Sequence, residues 1–274
     1  MSKETDNRQT ADHPIAATLA GKDRATVAMV RLALRSKRVA LALQPVVDAA
    51  DPTRIAFHEG LIRILDGAGC LVPAREFIGA VKATDAGLEL DRAALALGLE
   101  ALRRDPALRL AVNMSALSIG AVRWMETLAT GLARDETVAE RLILEITETS
   151  AMAMPELVTA FMTGLQRRGI SFALDDFGAG QTSFRYFRDF SFDMVKIDRQ
   201  FIANVHRDAD NQILVRALVM IARQFDMFVV AEGVELAEEA AWLRQHGVDC
   251  LQGYLFGVPV TVPAPGRAEA RRRA

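Results

Sequence analysis

The sequence predicts a (β/α)8 barrel. Three observations predict it. Strand-like and helix-like segments alternate regularly along the chain. Eight strand candidates fit in roughly 240 residues, close to the usual length of such a barrel. A doubly wound open sheet would usually carry a glycine-rich phosphate loop after its first strand. Gln44-Pro45-Val46-Val47 stands there instead.

Taken in order, residues 1–22, polar over Met1–Asp12, are expected to form a disordered lead-in. Helical apolar spacing begins in Ala25–Leu34, with Val27, Val30, Leu32 and Leu34. Strands are expected at Val39–Val47 and Ile55–Leu65, joined by a turn at Asp48–Thr53. Pro73–Thr84 and Leu88–Arg103 read as helices. The alternation then continues with a strand at Leu108–Met114, a helix at Ile119–Ala133 and a strand at Arg141–Ile146. A helix at Pro155–Arg168 carries proline in its first turn, where no N–H is needed. Ile170–Leu174 is a strand, Thr182–Phe190 a short helix and Met194–Ile197 a strand. Asp208–Phe225 (helix), Phe228–Ala231 (strand), Ala237–His246 (helix) and Cys250–Phe256 (strand) close the series. One barrel domain thus covers 23–263. A flexible basic tail, 264–274, ends in Arg271-Arg272-Arg273.

The chain has 274 residues, of which 51% are hydrophobic and 25% charged, enough for a full core. A net charge of -2 and a pI near 6.1 give no overall basic surface for polymeric nucleic acid. Cys70 and Cys250 are far apart and lack metal-ligand spacing, so they read as reduced thiols. The N-terminus lacks the apolar core of a signal peptide. The longest apolar stretch, Ile213–Val230, is interrupted by Arg216, Arg223 and Asp226 and is not a membrane span. A cytoplasmic, soluble protein without a membrane partner is expected.

Chemistry in such a barrel sits at the C-terminal ends of the strands. The fifth strand runs through Leu174 into Asp175-Asp176-Phe177-Gly178-Ala179-Gly180. Adjacent carboxylates after an apolar run suit a divalent cation, although an isolated Asp pair more often caps a helix. The other strand ends decide between these readings. They carry Glu59-Gly60-Leu61-Ile62-Arg63, Asn113-Met114-Ser115, Glu145-Ile146-Thr147-Glu148, Lys196-Ile197-Asp198, Glu232-Gly233-Val234-Glu235 and Gln252-Gly253-Tyr254. Each has an ordinary explanation alone: Glu145 and Glu148 could open a helix, and Lys196 could snorkel from a strand edge. Seven consecutive strand ends with such residues at one face do not fit chance.

Glu59, Asn113, Glu145, Asp175, Asp176 and Glu232 are all oxygen donors, while His13, His58, His206 and His246 are scattered. Hard oxygen ligands select Mg2+ or Mn2+ over Zn2+. Five carboxylates and an amide exceed the needs of one Mg2+ and suit two ions, with Asp175 as the bridging candidate. Lys196 would help hold the attacking water, and Arg63 a phosphate oxygen. Hydrolysis of a phosphodiester follows from these residue types; the identity of the ester does not.

These motifs, together with Gln44-Pro45-Val46-Val47 and Leu174-Asp175-Asp176-Phe177-Gly178, resemble the EAL domain, the bacterial cyclic-di-GMP phosphodiesterase module, from Val39 to Pro259. The resemblance implies a modified TIM-like barrel whose first strand runs against the others. It implies two metal ions on Glu59, Asn113, Glu145, Asp175, Asp176 and Glu232, with Lys196, Glu232 and Glu59 catalytic. Glu148 would stabilise the loop after the fifth strand, which also takes part in the family's dimer contact, so a homodimer is expected. Gln44, Arg63, Ser115, Asp198, Glu235, Gln252 and Tyr254 would line the substrate pocket. The implied reaction opens cyclic di-GMP to linear pGpG.

The chain departs from the family pattern at Gly60 in place of alanine, at Gln181 after the loop glycines, at Lys82 and at Ile64. Gly60 should point away from the metals, so no ligand is lost. The alternatives are a weak or inactive cyclic-di-GMP receptor and a protein-interaction module.

Overall fold

The computed structural model describes residues 14–179 and 190–261, with side chains from residue 21. Its strands are β1 (Val39–Asp48), β2 (Ile55–Leu65), β3 (Leu71–Pro73), β4 (Leu110–Asn113), β5 (Leu142–Thr147), β6 (Ser171–Phe177), β7 (Met194–Ile197), β8 (Phe228–Ala231), β9 (Cys250–Gln252) and β10 (Val260–Thr261). The long hairpin β1–β2 is tied by an aspartate-rich turn, in which the Asp48 carboxylate accepts from Ala50 N–H at 2.8 Å. From β2 the sheet runs through β4, β5, β6, β7, β8 and β9, every pair parallel. β9 then pairs antiparallel with β1 and closes the ring. The barrel is therefore eight-stranded with a reversed first strand, as expected, while β3 and β10 add short flanking pairs on β2 and β1.

The helices are α1 (Pro14–Arg35), α2 (Ile78–Val81), α3 (Asp85–Arg104), α4 (Val122–Arg134), α5 (Glu148–Ala153), α6 (Pro155–Gln166), α7 (Arg199–Ile202), α8 (Ala209–Gln224) and α9 (Ala237–Gln245). The longer ones pack on the barrel through apolar stripes. In α4 the stripe is Trp124, Leu128 and Leu132, four residues apart and all buried. The strands they cover are apolar on both faces; five of the six residues of β5 are buried. α1 makes a second cluster, in which Val30 and Ala33 pack with Ile64, Phe77, Val81 and Leu90.

Several boundaries differ from expectation. Residues 14–22, expected in a disordered lead-in, are the first turns of α1. Pro73–Thr84 is not one helix. Leu71–Pro73 pairs with β2, which holds Pro73 extended (φ -73°, ψ 153°), and a 3-10 turn at Ala74–Glu76 precedes the short α2. The last barrel strand stops at Gln252, short of the expected Phe256, and Gly253 then lies against the backbone of Val234, where any Cβ would overlap. The helix expected at Thr182–Phe190 lies, except for its final residue, outside the described residues; so do Gln181 and the tail 264–274.

Candidate active site

Side chains alternate along a strand, so residues two apart share a face. Val46, Phe57, Ala111, Ile143, Ala173 and Val230 form an apolar cluster inside the barrel, with Met194 and Cys250 packed against it. Two positions further toward the open end on each strand come Gln44, Glu59, Asn113, Glu145, Asp175, Glu232, Lys196 and Gln252. On the reversed β1 that step runs backwards, from Val46 to Gln44. Eight of the anticipated residues thus form one layer directly above an apolar floor.

Lys196 is the hub of this layer and is fully buried. Its Nζ lies 2.6 Å from Glu232 Oε1, 3.0 Å from Glu145 Oε2, 3.3 Å from Glu59 Oε2 and 3.4 Å from Asp175 Oδ1. Glu59 is held further by Asn113 Nδ2, donating to Oε1 at 2.8 Å, and by Gln252 Nε2, donating to Oε2 at 2.6 Å. Gln252 Nε2 also donates to Gln44 Oε1 at 3.3 Å, and Gln44 donates to the carbonyl of Gly257.

Burial opposes charge on each member, and the neighbours decide the outcome. Burial pulls the Lys196 ammonium down, but four carboxylates outweigh it and carry it well above the ordinary lysine range. Burial pushes Glu59 up, but Lys196 and the amides of Gln252 and Asn113 bring it below the usual range. Glu145 and Glu232 are pushed up, by burial and then by their like-charged neighbours.

The remaining anticipated residues lie around this ring in different states. Asp176 is solvent-accessible, with φ 57°, but its carboxyl is partly desolvated, and this together with the neighbouring Asp175 and Asp198 pushes it up to about 6. Glu148 is buried and accepts from Gly178 N–H at 3.0 Å, tying α5 to the chain leaving β6. Arg63 is half-buried; burial and the nearby Arg75 lower its pKa, while Glu59 and Tyr254 raise it. Four residues are committed elsewhere or turned outward. The hydroxyl of Ser115 accepts from Leu117 N–H, and Asp198 caps α7 through Gln200 N–H at 2.8 Å. Glu235 and Tyr254 are exposed. Gly60 faces the helix layer, as expected: a Cβ there would meet Ala111 O at 3.2 Å and Leu110 Cδ1 at 3.4 Å.

Two carboxylates near the rim, Asp91 and the buried Glu239, were missed. Asp91 accepts from Ser115 N–H and Ser118 Oγ, both at 2.8 Å. Its signal is an acid on the buried stripe Gly87, Asp91, Leu95, Leu99 of α3. Glu239 accepts from Asn204 N–H at 2.7 Å and from Glu235 and Leu236 N–H at 3.0 and 3.1 Å. Its signal is a leucine at the N-cap of α9, which leaves those donors to a later residue.

The donor chemistry suits a hard cation. Four carboxylates face one ammonium, leaving three formal negative charges in a buried ring. Glu145 Oε1 is buried without a hydrogen-bond partner, and Asp175 Oδ1 has only its 3.4 Å ion pair with Lys196. Among the described residues no three acidic, thiol or imidazole groups already stand as a metal cage; the carboxylates converge on Lys196 instead.

The sequence matches the EAL domain over residues 27–259. Cyclic di-GMP phosphodiesterase NbdA of Pseudomonas aeruginosa is 30% identical over 240 residues, 86% of this chain and 30% of NbdA. This chain thus spans under a third of that relative's length. A solved complex of PaMucR phosphodiesterase with c-di-GMP superposes with a TM-score of 0.77 at 28% identity, covering 86% of this chain and 97% of that one. The FimX EAL domain of Pseudomonas aeruginosa bound to c-di-GMP gives a TM-score of 0.77 at 24% identity, covering 86% and 96%, a likeness of fold alone. With most of its length in that match and its barrel in that form, this chain belongs to the EAL domain family, the family of cyclic-di-GMP phosphodiesterases.

Proposed function

We propose that this chain hydrolyses cyclic di-GMP to linear pGpG with two Mg2+ or Mn2+ ions. The observation that carries the reading is the ring of four carboxylates around the buried Lys196, with its formal excess of negative charge and the unpartnered, buried Glu145 Oε1. Its relatives' cyclic-di-GMP chemistry supports the choice of ester.

Glu59, Asn113, Glu145, Asp175, Asp176 and Glu232 would hold the ions. When bound, such a pair neutralises charge on the attacking and leaving oxygens of an in-line displacement. Lys196 donates to the attacking water and orients it. The water oxygen bonds to phosphorus and releases one proton, the P–O3′ bond breaks, and the leaving 3′ oxygen takes up one proton in its place, so no net proton is consumed. Glu59 and Glu232, both in contact with Lys196, keep its ammonium at the point of attack. Arg63 donates to a phosphate oxygen, while Gln44 and Gln252 brace Glu59 from below the substrate. Ser115, Asp198, Glu235 and Tyr254 line the mouth, and Glu148 steadies the chain beyond β6. The reading places the domain in the cytoplasm as a homodimer; among the described residues no helix is long and apolar enough to cross a membrane.

Incubation with cyclic di-GMP and Mg2+ or Mn2+, followed by chromatography, should show pGpG. Retained binding without product would leave the competing reading, a receptor that holds the dinucleotide uncut. Neither product nor binding would point to a protein-interaction module.

A further inference from the structure

Asp91 is a partly buried carboxylate whose carboxyl is desolvated and, among the described residues, has no ion-pair partner. It sits on α3, and its sequence neighbour Arg92 is paired with Glu89 at 2.9 Å. One oxygen, Oδ2, takes both of its hydrogen bonds, from Ser115 N–H and from the fully buried Ser118 Oγ. Burial pushes its pKa up to about 6, so the fold pays to keep the group charged where it lies. A leucine on this apolar stripe would carry no such cost.

The chain that Asp91 grips leaves β4 directly after Asn113. Asn113 donates to Glu59, and the next residue, Met114, donates its N–H to Glu145 O at 2.9 Å. Ser115 N–H is the following donor, and Asp91 is its acceptor. The exit from β4 is therefore clamped from β5 on one side and from α3 on the other. A carboxylate suits two converging donors, because it presents only acceptors and binds them more strongly than a neutral group.

We propose that Asp91 is a positioning residue, holding the β4 exit loop so that the Ser115 side chain faces the phosphates of the bound cyclic dinucleotide. This rests on the cyclic-di-GMP reading above. Asp91 itself touches neither substrate nor the Lys196 ring.

The test is calorimetric titration of the full chain with cyclic di-GMP in EDTA, which measures binding whether or not the chain cuts. Asp91→Ala should weaken binding about tenfold, the size of one lost buried hydrogen bond. Asp91→Asn, which keeps an acceptor, should stay within about threefold, and Ser118→Ala should fall between. With Mg2+ the same variants should raise KM in that order while kcat holds. Wild-type affinity in Asp91→Ala, or equal loss in Asp91→Asn and Asp91→Ala, overturns the proposal and leaves the function standing. If Asp91→Ala does not fold by near-UV circular dichroism, unchanged affinity in Ser118→Ala overturns it. A wild-type chain that binds no cyclic di-GMP refutes the functional reading, and this role with it.

Discussion

Two layers of side chains fill the barrel, one directly above the other on the same strands. The lower layer, Val46, Phe57, Ala111, Ile143, Ala173 and Val230, is wholly apolar. The upper one places Glu59, Glu145, Asp175 and Glu232 around Lys196. Backbone pairing is continuous from one to the other: Ala111 pairs with Ile143, and Asn113 with Glu145. The difference therefore lies in the side chains. The floor gains from leaving water and packing closely. The ring loses by leaving water and recovers only part of that loss through Lys196 and the amides. Stability is supplied below and spent above, so substitutions in the two layers should fail in different ways.

The largest effect is expected at the hub. Lys196→Ala leaves buried carboxylates without their counter-ion and should cost about 3–5 kcal/mol in urea unfolding, with pGpG formation abolished. Glu59→Ala should also abolish turnover; wild-type rates in either variant would show that the ring is not the site.

Next comes Asp91, a carboxylate outside both layers. Its folded pKa of about 6 lies above the ordinary 3.8, so the folded state holds the proton more tightly. The associated stability is complete below pH 4 and lost as pH rises through 6, by roughly 3 kcal/mol. Asp91→Asn should remove that slope, seen as a difference between variant and wild-type unfolding curves across pH 4–7. Parallel curves would place the carboxylate in a more polar setting.

Divalent cation should act on the ring alone. Mg2+ or Mn2+ at a hundred times its Kd should stabilise the wild type by about 2.7 kcal/mol, reversed by EDTA. Glu145→Gln should shrink that increment, and Ile143→Val should not. Ile143→Val, a change in the floor, should cost about 0.5–1.5 kcal/mol with kcat unchanged. The smallest effect is expected at Gly60→Ala. Its Cβ would face away from the ring with contacts near 3.2 Å, so stability should move by less than about 1 kcal/mol and turnover hardly at all.

The barrel was legible because periodicity is local. An apolar run such as Leu142–Ile146 announces a covered strand, and Trp124, Leu128 and Leu132 announce a covering helix. The ring was legible for a related reason: polar residues ended consecutive strands. Boundaries were less so where pairing overrode local preference, as when β2 drew Leu71–Pro73 into a strand. Asp91 and Glu239 escaped notice because each has a key partner, Ser115 N–H and Asn204 N–H, that is a backbone group distant in sequence, which no pattern of residue types displays.

By itself, then, the sequence determined the element order, the eight-stranded count and the oxygen-rich chemistry of one barrel face, since each follows from neighbours along the chain. Tertiary structure alone decided that Lys196 would stand within reach of four carboxylates drawn from four other strands. It also decided that Ser115 and Asp198 would cap turns while Gln44 and Gln252 entered the ring's network. Closure of the sheet brings β1 against both β2 and β9, and only in that closed register do charges from distant segments share one water-poor space.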